Sequence, residues 1–479
     1  MKRLDRLRIA FHCLLAASAT SFAPIVASEV SPTPVVTSAV PGVSDAQLSA
    51  DFWIARLAQP DAVVLQRDAI DAQNRRLEAQ DPTLYDLRAL PAELSRAQVT
   101  TWLRSLSEAP STPLFDVNGK PVSQRVLRAI VSNANVGKIP LSRAARYGLV
   151  VRRANLRTFP TELRVFHSVG DTDIDRFQES ALFPGDPVVI AHESRDRRWW
   201  FVVSPRYAAW IAQESVATGP RESVLAYGDA TPSRVVTGAT VHTVYTRENP
   251  ALSQLPLDMG VRLPLHAASP LELVNGQHPY AAHVIELPQR APDGTLSIAP
   301  ALLQKNADTA SDYLPLTRAN LLRQAFKFLG ERYGWGHSYD ARDCSGFVSD
   351  VYRSMGVAMP RNTRDQSVSP ALPKRQFDSA DDRATRMSAV RATEIGDLVY
   401  IPGHVMMVIG QLDGEPWVIH DTTGISYRDA GGALRRITLN GVSVTPLLPL
   451  QFSESELYLD RITSIVRIRP DSKEASAHP

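Results

Sequence analysis

Tyr333-Gly-Trp-Gly-His-Ser-Tyr-Asp-Ala-Arg-Asp-Cys344-Ser-Gly-Phe347 runs from a loop rich in glycine and aromatics into an apolar, helical pattern. Phe347, Val348, Val351, Tyr352 and Met355 share one face of that pattern, and Gly356 closes it. Cys344 therefore stands at the first turn of a helix. Free N-terminal amides and the helix macrodipole favour a thiolate there, which predicts a lowered thiol pKa. The thiolate is the nucleophilic form. The same amides can bind an oxyanion formed on an attacked carbonyl.

A nucleophile needs a base. Downstream, three strand patterns follow: Asp397 to Ile401, His404 to Ile409, and Trp417 to His420. His404 opens the second and can face the helix tip from the end of a sheet. His420 ends the third and can sit behind His404, holding its imidazole in the useful tautomer. A Cys344-His404-His420 arrangement follows. Two other readings stay open on these residues alone: a small buried cysteine with structural histidines, and a metal site. The second lacks any close ligand pair such as Cys-x-x-Cys, so no metal or cofactor is expected. Thr317 caps a preceding helix with Leu321, Leu322, Ala325, Phe326 and Leu329 on its apolar side. A polar loop is expected from Thr363 to Glu394.

Composition frames this region. The chain has 479 residues with 44% hydrophobic content and a net charge of +2. That length predicts three or four domains, and the charge balance does not suggest nucleic-acid binding. Its 35 prolines against 25 glycines suit many short strands and turns. Lys2, Arg3, Arg6 and Arg8, the apolar stretch from Ile9 to about Ala19, and small residues to Ala27 read as an export signal over residues 1–27. A retained membrane anchor is the alternative. Cleavage removes four basic residues and Asp5, so the net charge of +2 becomes −1. It also removes Cys13, leaving Cys344 as the single cysteine of an exported protein, a reactive thiol or an intermolecular partner. No stable membrane insertion is expected after cleavage.

Residues 28–44, rich in Pro, Ser, Thr and Val, read as a linker. Residues 45–150 are helical in pattern. Phe52, Trp53, Leu57, Val64 and Leu65 share one face. Ser95 starts a second helix, and Ser123 caps a third. Residues 151–217 change texture, with strand candidates Pro187 to His192, Trp199 to Val203 and Ala209 to Ile211. Residues 221–300 repeat it with Val235-Val236, Thr240 to Val244 and Val261 to Leu265. Each of the two regions predicts a small barrel.

The Asp343-Cys344-Ser345-Gly346-Phe347 run resembles the catalytic motif of NlpC/P60 cysteine peptidases. Tyr333 to Gly336, Pro360-Arg361, Gly396-Asp397-Leu398 and Pro402-Gly403-His404-Val405 fall around it in the family's order, and the resemblance spans about Tyr313 to Leu450. Upstream, Leu156 to Thr161 and Asp175 to Ser180 look like the bacterial SH3 domain of one branch. Its members carry a helical N-terminal stabilising region and two SH3-like domains before the peptidase. The resemblance implies a helical N-terminal region, two SH3-like β-barrels and a C-terminal α+β, papain-like peptidase domain at 313–470. It implies cleavage between D-glutamate, linked through its γ-carboxyl, and a diamino acid such as meso-diaminopimelate. The expected partners are peptidoglycan stem peptides with a free N-terminal L-Ala, and the expected location is the periplasm or cell envelope. An acidic residue matched by Asp343, helped by Tyr207, would hold the substrate ammonium. Ser345 and Trp335 would make neighbouring contacts, and Arg361 would lie near a substrate carboxylate. Asn362 departs from the family, which often has an acidic residue there. A Cys-dependent amidase or acyltransferase of the same fold, and a catalytically dead wall-binding protein, remain as alternatives.

Overall fold

Ser95, Ser123 and Thr317 each accept a hydrogen bond from a first-turn amide of the helix that follows: Arg96–Leu106, Gln124–Asn133 and Arg318–Phe326. These ends are where the sequence pattern puts them. The structure, a computed structural model, describes residues 40–267, 269 and 271–469. The proposed signal at 1–27 and residues 28–39 of the expected linker lie outside the described residues. Residues 40–44 pack onto the body, with Val40 and Val43 against the C-terminal core.

The N-terminal region divides its apolar residues between two neighbours. Trp53, 2% exposed, joins the C-terminal core, where its ring lies 5.7 Å from that of Trp417. Gly410 is required at this contact, because a Cβ there would meet the Trp53 ring at 2.7 Å. Leu87, Leu94, Val99 and Leu103 pack instead with Trp199, Phe201 and Trp210 of the next region. The helical face expected to carry Val64 and Leu65 ends early. The first helix is only Ala50–Ile54, and Val63–Leu65 is a strand paired with Leu316–Thr317. Pro60 and the β-branched Val63-Val64 pair favour that outcome.

The first strand-rich region forms an antiparallel seven-stranded sheet. Its order is Val216–Gly219, Arg146–Val150, Pro187–Glu193, Trp199–Val203, Ala208–Ala212, Ala154–Arg157 and Gln178–Leu182. The outer two strands do not pair, so the sheet stays open. The second region is built from smaller pieces. Ser233–Val236 lies between Arg262–Pro264 and Thr309–Ala310, Thr240–His242 pairs with Pro256–Asp258, and Ala282–Arg290 forms a hairpin with Leu296–Gln304. The expected pair of SH3-like barrels is therefore corrected: among the described residues no sheet closes. Short strands with turns between them fit open and closed sheets alike. Closure depends on tilt and stagger, which strand texture does not encode.

The C-terminal part places helices against an antiparallel six-stranded sheet, in the order Lys374–Gln376, Ser464–Val466, Leu398–Ile401, His404–Leu412, Glu415–Arg428 and Leu434–Pro446. The helix Cys344–Arg353 buries Phe347, Val348, Val351 and Tyr352 against Val405, Met407, Ile409 and Ile419. Residues 363–394 are not a plain loop: they contain the helices Thr363–Val368 and Arg383–Arg391 and the strand Lys374–Gln376. Asp382 caps the second of these through Thr385 N.

One edge matters for function. The strand Gln178–Leu182 would present open backbone groups, and the loop before Cys344 covers it. Trp335 Nε1 donates to Gln178 O at 3.0 Å, and Gln178 Nε2 donates to Gly336 O at 2.7 Å. The upstream sheet thus becomes a wall beside the nucleophile helix.

Candidate active site

Asp343 holds the helix start. Its Oδ1 accepts from Gly346 N at 2.8 Å, and its Oδ2 accepts from Gly336 N at 2.9 Å. Cys344 follows, 5% exposed. The N–H groups of Cys344 and Ser345 precede the first intrahelical bonds, so they remain as donors beside the sulfur. Thr363 Oγ1 lies 3.6 Å from that sulfur, and the backbone N–H of Val405 also supports it. The start of the His404 strand is thereby brought to the nucleophile. Across the sheet, His404 Nε2 meets His420 Nδ1 at 2.7 Å, and His420 Nε2 meets Thr445 Oγ1 at 3.1 Å. The structure thus pairs His404 with His420 and brings the neighbouring Val405 N–H to the Cys344 sulfur.

The resting electrostatics differ from the sequence expectation. Burial, reinforced by the Asp343 carboxylate, pushes the Cys344 thiol up to about 12, outweighing the hydrogen bonds from Thr363 and Val405. Burial pushes His404 down to about 4. His420 is pushed well below its ordinary value by burial and then by His404. The Cys344 thiol and the His404 imidazole both rest neutral. The expected low thiol pKa fails because a desolvated site bearing an adjacent carboxylate outweighs one helix end.

A pocket of ≈ 350 Å³ opens over Cys344. Its walls include Tyr333, Trp335, Asp343, Ser345, Arg361, Asn362, Thr363, Arg364 and Gly403 from the peptidase part. Arg176, Gln178 and Glu179 come from the upstream sheet and its approach. Of the expected substrate contacts, Asp343, Ser345, Trp335 and Arg361 line it directly. Tyr207 acts at one remove: its hydroxyl donates to Glu179 Oε2 at 2.5 Å. Burial and then the Glu179 charge push the Tyr207 phenol above its ordinary value, so it remains a donor.

Asp343 and Arg361 are spent on each other. Arg361 donates to Asp343 Oδ1 at 3.1 Å and Oδ2 at 2.8 Å, to Ser345 Oγ at 2.9 Å, to Ser180 Oγ at 2.7 Å and to His337 Nδ1 at 3.0 Å. All five guanidinium N–H groups are used. Burial pushes the Asp343 carboxyl up, but Arg361, Gly346 and Gly336 together hold it below its ordinary value. The charged group left over is Glu179. It accepts from Thr158 Oγ1 and from Tyr207, both at 2.5 Å, and has no cationic partner among the described residues. Sequence reasoning passed over Glu179, although it lies inside the quoted Asp175 to Ser180 run. It also missed Thr363 and Thr445. Only the approach of separate elements brings Glu179 and Thr363 to the pocket and Thr445 to His420.

A helix-tip cysteine and a hydrogen-bonded pair of strand histidines are the groups that thiol hydrolysis uses. Residues 330–439 match the NlpC/P60 family, and residues 164–212 match an SH3 domain of the SH3b1 type. Residues 330–439 thus carry an NlpC/P60-type cysteine-peptidase domain, which supports an enzyme with general peptidoglycan-hydrolase activity. An NlpC/P60 endopeptidase from Photobacterium damselae subsp. piscicida shares the fold. Its TM-score is 0.69 at 17% identity, over 87% of this chain and 96% of that one. An NlpC/P60 family protein from Bacillus cereus ATCC 10987 aligns at 20% identity over 68% of this chain and 100% of that one, with a TM-score of 0.46. No curated protein matches the chain. One SH3-type domain is matched, and no second one. Among the described residues no helix is long and apolar enough to cross a membrane.

Proposed function

We propose that the enzyme is a γ-D-glutamyl-diamino-acid endopeptidase acting on stem peptides that carry a free N-terminal L-Ala. The supporting observation is Glu179, an uncompensated carboxylate on the wall of the Cys344 pocket, oriented by Thr158 and Tyr207. A free ammonium needs such an anion. Gln178 and Glu179, at the start of the strand Gln178–Leu182, line the same pocket, which supports a substrate that ends on that side. The ammonium role expected of Asp343 passes mainly to Glu179, and Asp343 contributes the fixed geometry between cap and nucleophile.

In the reaction, His404 carries its proton on Nε2 and donates to His420 Nδ1, while His420 Nε2–H donates to Thr445 Oγ1. That tautomer leaves His404 Nδ1 to accept the thiol proton as sulfur attacks the γ-carbonyl of glutamate. The N–H groups of Cys344 and Ser345 receive the oxyanion. Collapse expels the diamino acid amine, protonated by His404, and leaves a thioester. Water, deprotonated by His404, then releases the glutamyl product and restores the thiol.

The basic start and apolar run of residues 1–27 support export to the periplasm or cell envelope. The double packing of residues 45–150, on the peptidase core and on the upstream sheet, supports a stabilising role for that region.

The test compares Ala-γ-Glu-diaminopimelate with its N-acetylated form. Wild type is expected to cleave the free peptide and to discriminate against the acetylated one. Glu179→Gln is expected to raise KM for the free form by about tenfold with little change in kcat. Equal rates on both peptides contradict the assignment.

A further inference from the structure

Arg361 cannot serve the substrate, because its five donors already bind Ser180, Asp343, Ser345 and His337. A γ-linked glutamate nevertheless brings a free α-carboxylate close to the scissile bond, and a dry pocket must compensate that charge. Two other guanidinium groups line the pocket, those of Arg176 and Arg364. They are placed differently. Arg364 is exposed and follows Thr363, the residue beside the sulfur. Arg176 is half-buried and lies three positions before Glu179, on the wall that would take the amino end. Its guanidinium sits 6.0 Å from the centre of the Trp335 ring, and its Nε is buried without a hydrogen-bond partner. It makes no ion pair among the described residues. A guanidinium that lines a pocket, with a desolvated donor lacking an acceptor and no ion pair of its own, suits a ligand anion.

Resting on the reading of a free-amine stem peptide, we propose that Arg176 binds the α-carboxylate of the γ-linked glutamate. Arg176 thereby makes the enzyme selective for stem peptides in which that group is a free acid and not an amide. Glu179 and Arg176 then form a matched pair on one wall, an anion for the peptide's ammonium and a cation for the next residue's carboxylate. The isoglutamine form offers the guanidinium one carbonyl oxygen in place of a charged, two-oxygen acceptor, and its NH2 has no acceptor on Arg176.

The experiment measures kcat/KM on Ala-γ-Glu-diaminopimelate and on its isoglutamine counterpart, for wild type, Arg176→Gln, Arg176→Lys and Arg364→Gln. Wild type is expected to prefer the free acid by about tenfold or more, chiefly through KM. Arg176→Gln is expected to bring the ratio near one with kcat on the amide form retained, and Arg176→Lys to restore part of the preference. Arg364→Gln is expected to keep it. Equal cleavage of both peptides by wild type overturns the role of Arg176 while leaving the free-amine reading intact, as does a preference that survives in Arg176→Gln or is lost in Arg364→Gln. Cleavage of neither peptide by wild type overturns both.

Discussion

His404 and Cys344 are pushed by burial in opposite directions, and both end up neutral. Base-competent His404 is the unprotonated form, so activity is present above its pKa and is lost as pH falls through about 4. The thiol, pushed up to about 12, adds no alkaline limb in the ordinary range. The kcat/KM profile is therefore expected to hold from about pH 5 into mildly alkaline buffer, and an acid limb near the usual 6.5 of histidine contradicts this. His404→Ala is expected to lower kcat by about 10²–10⁴-fold. His420→Ala, which removes only the orienting partner, should cost less, and rates on the peptide substrate order the two. At this scale the sequence singled out Cys344, His404 and His420 from local signals, a thiol left single by the expected export cut and histidines in strand patterns, while the strand of His420 runs on to Arg428. It did not expose the Asp343–Arg361 pairing or Glu179, because each depends on a residue from another element.

At the scale of elements, capping and docking carry the arrangement. Thr317 caps its helix through Asn320 N at 3.1 Å, and Thr317→Ala is expected to destabilise by about 1 kcal/mol, read from denaturant midpoints. Asn74 on the helix Arg67–Gln80 spans both sides of the turn that ends the nucleophile helix. It donates to Gly356 O at 2.8 Å and accepts from Ala358 N at 2.9 Å. Asn74→Ala leaves both backbone groups without partners and is expected to cost about 1–3 kcal/mol. The helix starts at Ser95, Ser123 and Thr317 were legible because capping is written within four residues. The hairpin Ala282–Arg290 with Leu296–Gln304 was not, since Pro288 and Pro300 lie inside it and proline argues against strand interiors. Openness of the seven-stranded sheet was equally hidden, since no local pattern reports whether two outer strands meet.

Across the whole molecule, the catalytic pocket exists only because two parts of the chain share it. The upstream sheet supplies Arg176, Gln178 and Glu179, and the peptidase supplies Cys344 and its loop. The N-terminal region braces both. Trp53→Ala empties a fully enclosed site against Trp417 and is expected to cost about 3–5 kcal/mol, seen as a lowered melting temperature. The family resemblance made this division of labour readable from motifs, while the charge left unpaired on the shared wall came only from the assembled coordinates. Under the proposed function, Cys344 cuts the bond between γ-linked glutamate and the diamino acid. The most direct measurement of that cut is mass analysis of products from free Ala-γ-Glu-diaminopimelate treated with wild type or with Cys344→Ala. Wild type is expected to yield Ala-Glu and free diaminopimelate, and the variant neither. Cleavage by Cys344→Ala, or wild-type products split between Ala and Glu, contradicts it.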